Sequence, residues 1–247
     1  MLHIFRRIRK GITDSGQVKK SSSSMVERYS LYAIGEITLV VIGILLAIQI
    51  DNWNNQRIES NIEREILREL RISVNEDLNR CKNSFGHIKR IETKIHQLQL
   101  LLNKGDTAEN MDSLFGAVYG ILRFEINTAS YEELKSHGIN LITDDDIRRL
   151  TVRTYDTHLK AIQHMNKIED NVVLEALRPY YLSNFTKIRF SETATPKSID
   201  AILRDDYFLN LVDYRLTVLR TLHFRTYPDI IKDMSELLQR IDSFIGD

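Results

Sequence analysis

Twenty consecutive residues, Leu31 to Ile50, restrict how this chain can fold more than any other feature of its sequence. They are almost all apolar, and Glu36 is the one charged side chain among them. A helix of about 20 apolar residues, rising 1.5 Å per residue, matches the hydrocarbon core of a bilayer, which is about 30 Å thick. Tyr29 and Tyr32 flank one end and Trp53 the other, and such rings favour the membrane–water interface. The sequence therefore predicts a transmembrane helix over 31–50, with these three rings as interfacial anchors.

The charges that precede this segment indicate its orientation. Residues 1–30 contain seven lysine and arginine side chains and two acidic ones, so this tail carries a net charge of +5 in a chain of zero net charge. The positive-inside rule places such a tail in the cytoplasm. Residues 51–247 are then extracytoplasmic, which in a bacterium with two membranes is the periplasm. We expect a protein of the bacterial inner membrane.

Two other interpretations fit the apolar segment less well. A cleaved signal peptide fits poorly, because the apolar core is long, begins far from the N-terminus and is followed by no small-x-small cleavage motif. A buried core helix would need a domain that encloses 20 apolar residues on all sides. The sequence favours an uncleaved signal anchor that lies in membrane lipid.

The first twelve residues, MLHIFRRIRKGI, have their own pattern. Leu2, Phe5, Ile8 and Ile12 recur at helical spacing among arginines, which is typical of a basic helix lying on an anionic leaflet. A solvated tail that only sets the topology explains the pattern equally well. Three parts are predicted: a basic tail over 1–30, the transmembrane helix over 31–50, and an extracytoplasmic helical domain over 51–247.

The remainder of the chain has the pattern of an all-α protein. From Ile58 to Leu102, apolar residues recur in twelve steps over 44 residues, an average of 3.67 residues per step, close to the helical period. The first proline is Pro179, and no glycine lies between Gly138 and Gly246. Long helices with few breakers predict an antiparallel four-helix-like bundle, whose first helix continues the transmembrane helix. A second helical stretch is predicted over 108–123, and residues 183–196 are predicted to be a loop.

Short polar stretches predict where two of the later helices begin. Thr128 or Ser130 can cap a short helix over SYEELKSHG that ends at Gly138. Thr143 is expected to cap the next helix, with Asp144–Asp146 in its first turn, where the helix dipole favours negative charge.

Three motifs carry a resemblance. The chain resembles an uncharacterised family of single-pass bacterial membrane proteins in the order of its three motifs. These are FRRIRK, then YAIGEITLVVIGILLAIQIDNWNNQR, then TASYEELKSHGINLITDDDIRRL. That family is common in Bacteroidota and is known as a domain of unknown function. Its YEEL-K-S-x-G pattern matches residues 131–136 and Gly138. The resemblance covers the whole chain; it implies a basic tail, one span with an NWN exit and a helical domain, and it implies no activity.

One face of the apolar segment combines a carboxylate with small residues. Glu36, Val40, Gly43 and Ala47 share this face, and Gly43 and Ala47 form a small-xxx-small pair that lets helix backbones approach closely. A charge facing lipid at the bilayer centre costs about 2.5–3.5 kcal/mol or more, so Glu36 should face protein or water. It can assist helix association near the interface, pair with a polar group of another membrane protein, or take part in proton transfer.

The sequence contains no motif that indicates chemistry. HExxH, CxxC, a Glu-x-x-His pair, GxSxG and a phosphate-binding glycine loop are all missing, so we predict no catalytic residue, cofactor or metal site. Cys81 and His223 fall on apolar stripes and are expected to be core residues. The zero net charge gives no indication of nucleic-acid binding. Tyr131, Glu132 and Glu133 are a candidate partner surface, although a core position is favoured for the tyrosine.

These observations favour a membrane protein that acts through contacts. The first hypothesis is an interaction or scaffold module in the periplasm, held by its span in a homo-oligomer or beside a partner membrane protein. The second is an accessory subunit of a proton-driven or transport complex that uses Glu36. The third is an extracytoplasmic ligand-sensing module that signals through a partner.

Overall fold

The computed structural model describes residues 22–246, and they are mostly helical. The pattern over MLHIFRRIRKGI lies outside the described residues. Contacts divide the chain into two compact units, Met1–Ile58 and Glu59–Asp247. Helix α1 is the longest element and spans Ser22–Lys104. The other elements all belong to the second unit.

Helices α2 (Met111–Val118) and α3 (Ala129–His137) follow α1 and are joined by an extended segment, residues 119–128. A 3₁₀ turn (Ile139–Leu141) leads to a long helical stretch, named here the middle run. It comprises α4 (Asp145–Val152), a π turn (Arg153–His158), α5 (Leu159–Asn171), a π turn (Val172–Leu177) and α6 (Arg178–Asn184). Strands β1 (Phe185–Arg189) and β2 (Thr193–Pro196) and helix α7 (Ile199–Leu203) come next. The C-terminal run comprises α8 (Asp206–Val218), a π turn (Leu219–His223) and α9 (Phe224–Gly246).

The apolar stripe of α1 supplies one wall of the core of the second unit. Its buried members within that unit recur at the predicted spacing: Ile66, Leu70, Val74, Leu78, Cys81, Ile88, Ile91, Ile95, Leu98 and Leu102. The helical prediction and the core position of Cys81 are therefore confirmed. Ile58, the first residue of the stripe, is 49% exposed.

Ion pairs and hydrogen bonds fix the directions of the three long helical stretches in the second unit. Gln99 of α1 bonds Asp213, and Arg71 bonds Asp242, so α1 and the C-terminal run are antiparallel. Asp146 of the middle run pairs with Arg240, while Glu169 pairs with Arg215, so these two runs are also antiparallel. The chain returns beside α1 through α2, the extended segment and α3.

The extended segment corrects the predicted helix over 108–123. Helix α2 ends at Val118, and the burial that follows has a period of two: Leu122, Phe124 and Ile126 are buried, whereas the residues between them are exposed. Alternation of this kind is typical of an extended chain with one side against a core. The sequence LRFEIN alternates apolar and polar residues after Gly120, so apolar residues no longer recur at helical spacing there.

The predicted loop over 183–196 is a β-hairpin, which is a second correction. Phe185 pairs with Pro196 and Thr186 with Thr195, and a bulge follows. Strand β2 packs so closely on α2 that a Cβ added to Gly116 would lie 2.2 Å from the Thr193 backbone nitrogen. Only a residue without a side chain allows this approach, so the hairpin depends on a glycine of another element.

Two capping predictions are wrong in detail. Asp144, and not Thr143, caps α4, because its Oδ1 accepts a hydrogen bond from the Ile147 N–H at 2.8 Å. Thr143 instead donates its backbone N–H and its hydroxyl to Glu63 Oε1, at 2.6 and 2.9 Å. Thr128 precedes α3 without capping it through its side chain. The predicted stop at Gly138 is confirmed, since this residue has a φ of 97° and ends the helix.

Candidate functional site

The apolar segment of α1 is the first candidate site. Within residues 22–246, α1 is the one helix that is long and apolar enough to cross a membrane, judged by length and composition. None of its most apolar stretch is buried by the protein. An exposed apolar surface of this extent is unstable in water and needs lipid or protein around it.

The three aromatic anchors are exposed on α1. Tyr29, Tyr32 and Trp53 have relative accessibilities of 77%, 74% and 65%. Tyr32 and Trp53 are 21 residues apart in sequence, and at 1.5 Å per residue their Cα atoms are separated by about 32 Å along the helix axis. That length is close to the hydrocarbon thickness of a bilayer, as an interfacial role would require.

The face that contains Glu36 is open along its length. Glu36, Val40, Gly43 and Ala47 are all exposed, and no atom outside the helix backbone lies within 4 Å of a Cβ built on Gly43. Ala33 and Glu36 line a shallow groove with the apolar side chains of the next turn. The face therefore has room for the backbone of another helix.

The second candidate site is a buried ionic network in the helical unit. Arg215 of α8 and Glu169 of α5 are fully buried and form two parallel hydrogen bonds, Nη1–Oε2 at 2.7 Å and Nη2–Oε1 at 2.6 Å. His223 Nε2 lies 3.4 Å from Glu169 Oε2. The network also contacts the extended segment: Leu122 N–H donates to Glu169 Oε1 at 2.9 Å, and Arg215 Nη2 donates to the Gly120 carbonyl at 2.9 Å.

The Glu169 carboxylate is held in its charged form. Burial by itself would raise its pKa, but the charge of Arg215 and the hydrogen bonds from His223 and Arg215 lower that pKa to about 2. Both carboxylate oxygens are occupied by donors of the protein. The arrangement therefore joins three segments of the chain and leaves no oxygen directed at a substrate.

Asp233 is a second buried carboxylate between the same two runs. Its Oδ2 lies 2.7 Å from His158 Nε2 and 2.7 Å from Arg153 Nε. Arg153 is half exposed, whereas Asp233 and His158 are buried. The arginine supplies the positive charge that a buried carboxylate needs, whichever protonation state the imidazole adopts. His158 and His223 each end a π turn, a geometry that often marks functional or strained positions.

Asp77 is the third buried carboxylate and comes from α1. Its two oxygens accept the Asn127 N–H at 3.3 and 3.1 Å, and Arg80 pairs with it from the surface. Burial raises the pKa of Asp77 despite these partners. The neighbouring Cys81 thiol is buried, and burial together with the Asp77 charge raises its pKa to about 12. This cysteine is therefore an unreactive core residue.

The candidate partner surface is corrected at one position. Tyr131 is 3% exposed and stacks on Tyr155 with ring centroids 4.9 Å apart, so its ring belongs to the core. Glu132 and Glu133 are exposed on α3.

Sequence reasoning missed the ionic network, although a signal for it was present. Glu169 continues the apolar spacing of Ile162, Met165 and Val172, and Arg215 lies between Val212 and Leu216. A charged residue on an apolar stripe predicts a buried partner of opposite charge. What the sequence does not indicate is which partner, because the two residues are 46 positions apart.

Among residues 22–246, no group of three or more His, Cys, Asp or Glu side chains is arranged so that it could hold a metal ion. Searches against protein-family models, curated proteins and solved structures return no match to this chain.

Proposed function

We propose that this chain is a single-pass protein of the bacterial inner membrane whose extracytoplasmic helical domain acts as an interaction or scaffold module. In this proposal the basic tail is cytoplasmic and residues 51–247 lie in the periplasm as a four-helix-like bundle. The extended segment, together with α2 and α3, takes the place of one helix. Membership of the family of unknown function that the span and YEELKS motifs resemble is part of the same proposal.

One observation carries the proposal: α1 exposes an apolar surface over the whole of 31–50. Lipid can cover most of such a surface, but it cannot satisfy a carboxylate. Glu36 shares its face with Gly43 and Ala47, where a second helix can approach closely. We therefore propose that this face contacts either another copy of the chain or a partner membrane protein.

The decisive experiment is the mass and composition of the complex extracted from native membranes in mild detergent. Glu36→Ala and Gly43→Leu alter the proposed face, whereas Leu45→Ala changes the opposite side of the helix and is the matched control. We expect the first two variants to be extracted as single chains, with a correspondingly lower mass. The control should give a complex of the same mass and composition as the wild type. A wild-type protein that is already a single chain would refute the proposal.

A carboxylate within the apolar segment favours a second candidate, an accessory subunit of a proton-driven or transport complex. Glu36→Gln keeps the size and polarity of the side chain but cannot ionise. Under this alternative, Glu36→Gln assembles normally and abolishes the activity of the complex. Assembly with full activity would exclude it. A ligand-sensing role through a partner remains a third proposal, which ligand-dependent changes in the extracted complex would support.

A further inference from the structure

Helix α1 changes the sign of its charge within the helical unit. Residues 59–77 contain six acidic and three basic side chains, whereas residues 79–97 contain five basic side chains and one acidic side chain. The five are Arg80, Lys82, Lys89, Arg90 and Lys94. The one acid, Glu92, accepts a hydrogen bond from Arg220 Nε of the C-terminal run at 2.7 Å. The exposed side of residues 79–97 is therefore basic.

Three of these cations belong to one row on the surface of α1. The row, named here the basic row, consists of residues at intervals of four: Lys82, Gly86, Arg90 and Lys94. Residues four apart are neighbours on a helix surface, and the row is about 18 Å long at 1.5 Å per residue. The Arg90 guanidinium lies back along the row, because its Nη1 is 3.7 Å from a Cβ built on Gly86.

The fold does not use these charges. Among residues 22–246, Lys82, Lys89 and Arg90 form no ion pair. Lys89 Nζ lies over the Phe85 ring, 4.3 Å from its centroid. Lys94 donates to a neutral group, a serine hydroxyl of α2, at 2.9 Å. The positive charges are therefore available to an anion outside the chain.

His87 lies in the field of the same cations. Partial burial and the charges of Arg90 and Lys94 lower its pKa, since they disfavour a further positive charge at this position. A field that disfavours a proton on His87 favours an anion at the same surface.

The surface around the basic row is polar and lacks apolar anchors. Between residues 79 and 97, no large apolar side chain is exposed. The exposed uncharged side chains are Asn79, Asn83, Thr93 and Gln97. The core of a protein–protein interface is depleted of charged residues and enriched in aromatic ones. This face therefore suits a hydrated anionic polymer better than the surface of another folded protein.

We infer that this face of α1 binds a linear polyanion, a polymer that carries phosphate or carboxylate groups repeated along its length. Lys82 and Lys94 contact such groups as point charges, whereas the planar fork of Arg90 binds two oxygens of one group. The inference goes beyond the proposed function and stands on residues of the helical unit alone.

The test measures the affinity of the full chain, in a neutral detergent, for fluorescent inorganic polyphosphate and for fluorescent alginate, a polymer of carboxylated sugars. Lys82→Gln combined with Arg90→Gln should lower the affinity by about tenfold or more. Arg64→Gln combined with Arg68→Gln is the matched control, because it removes two exposed charges of α1 outside the basic row. It should leave the affinity unchanged.

Salt provides a second reading of the same variants. Each cation that pairs with the polymer releases a counterion, so added salt weakens binding more when more cations take part. The affinity of the wild type and of the matched control should fall more steeply with salt than that of the basic-row variant. Fluorescent dextran, which is uncharged, should not bind any of these proteins.

Lysine acetylation followed by mass spectrometry separates the basic row from the basic tail. Bound polymer should protect Lys82 and Lys89 and leave the exposed Lys160 and Lys232 of other helices reactive. Protection by polyphosphate, by alginate or by both supports the inference and identifies the anionic group. The inference is overturned if neither polymer protects Lys82 and Lys89. It is equally overturned if the basic-row variant binds both polymers as tightly as the matched control, or if dextran binds as well as they do.

Discussion

Arg215 and Glu169 form a two-bond ion pair at the centre of the helical unit, with both side chains completely buried. The pair connects the middle run to the C-terminal run. Through Gly120 and Leu122 it also holds the extended segment 119–128 against both. A buried pair of this kind adds little to the free energy of unfolding compared with two apolar residues in its place. Removing one member is nevertheless costly, because the remaining charge is left without a partner.

Removing both members of this pair should therefore cost less than the sum of the two single removals. We expect Arg215→Met or Glu169→Leu alone to lower the free energy of unfolding by about 3–5 kcal/mol. The double variant should lose less than the sum, although Leu122 N–H and His223 still lose an acceptor. Urea denaturation of the four proteins in one detergent measures the coupling. Additive losses would contradict an interaction between the two charges.

Acid should destabilise the fold through Glu169. Its pKa is lowered in the folded protein from an ordinary 4.5 to about 2, so the unfolded chain takes up the proton first. The stabilisation is complete above pH 4.5 and disappears as the pH falls towards 2. Urea midpoints at a series of pH values should fall steeply in this window for the wild type and less steeply for Glu169→Gln. Equal slopes of urea midpoint against pH in the two proteins would refute the assignment of this effect to Glu169.

Asp77 should change the stability with pH in the direction opposite to Glu169. Its pKa is raised by burial in the folded protein, so protonation favours the folded state. The stability contributed by Asp77 is present at low pH and is lost as the pH rises through the folded-state pKa. Asp77→Asn should therefore remove a loss of stability that begins as the pH rises above 3.8, the ordinary pKa of an aspartate. Measurement of unfolding free energy for this variant across that range provides the check, and an unchanged profile would count against it.

Gly116 and Gly86 should respond in opposite ways to an added methyl group. A Cβ on Gly116 would lie 2.2 Å from the Thr193 nitrogen, whereas one on Gly86 would lie 3.7 Å from the nearest atom, the end of Arg90. Gly116→Ala should destabilise the protein by about 1–3 kcal/mol through overpacking. Gly86→Ala in α1 should stabilise it by about 0.5–1 kcal/mol. Thermal melts of both variants measure the difference, and similar shifts would contradict the close approach of β2 to α2.

Two buried tyrosine hydroxyls provide a similar contrast. The Tyr181 hydroxyl donates to the Phe115 carbonyl at 2.7 Å, whereas the Tyr227 hydroxyl has no hydrogen-bond partner among the residues the structure describes. Tyr181→Phe should lower stability by about 1 kcal/mol. Tyr227→Phe should be neutral or stabilising, because it removes a buried polar group that lacks a partner. A loss of stability in Tyr227→Phe would indicate a bound water at this hydroxyl.

Local sequence patterns were sufficient to predict much of this fold. The apolar segment 31–50, the helical stripe of α1 from Ile66 to Leu102 and the stop at Gly138 all depend on residues within a turn or two of one another. The same is true of the acidic first turn of α4. Periodicity and composition act over such distances, so they can be read from the chain directly.

Tertiary structure decided the features that depend on distant residues. Residues 119–128 are extended because Asn166, Glu169 and Asp77 supply the hydrogen bonds that an isolated strand lacks, and these side chains come from two other elements. The hairpin at 185–196 depends on the space left by Gly116. Tyr131 is buried because Tyr155 lies beside it. Sequence spacing could indicate that Glu169 and Arg215 need partners, but only the antiparallel packing of the two runs places each charge beside the other.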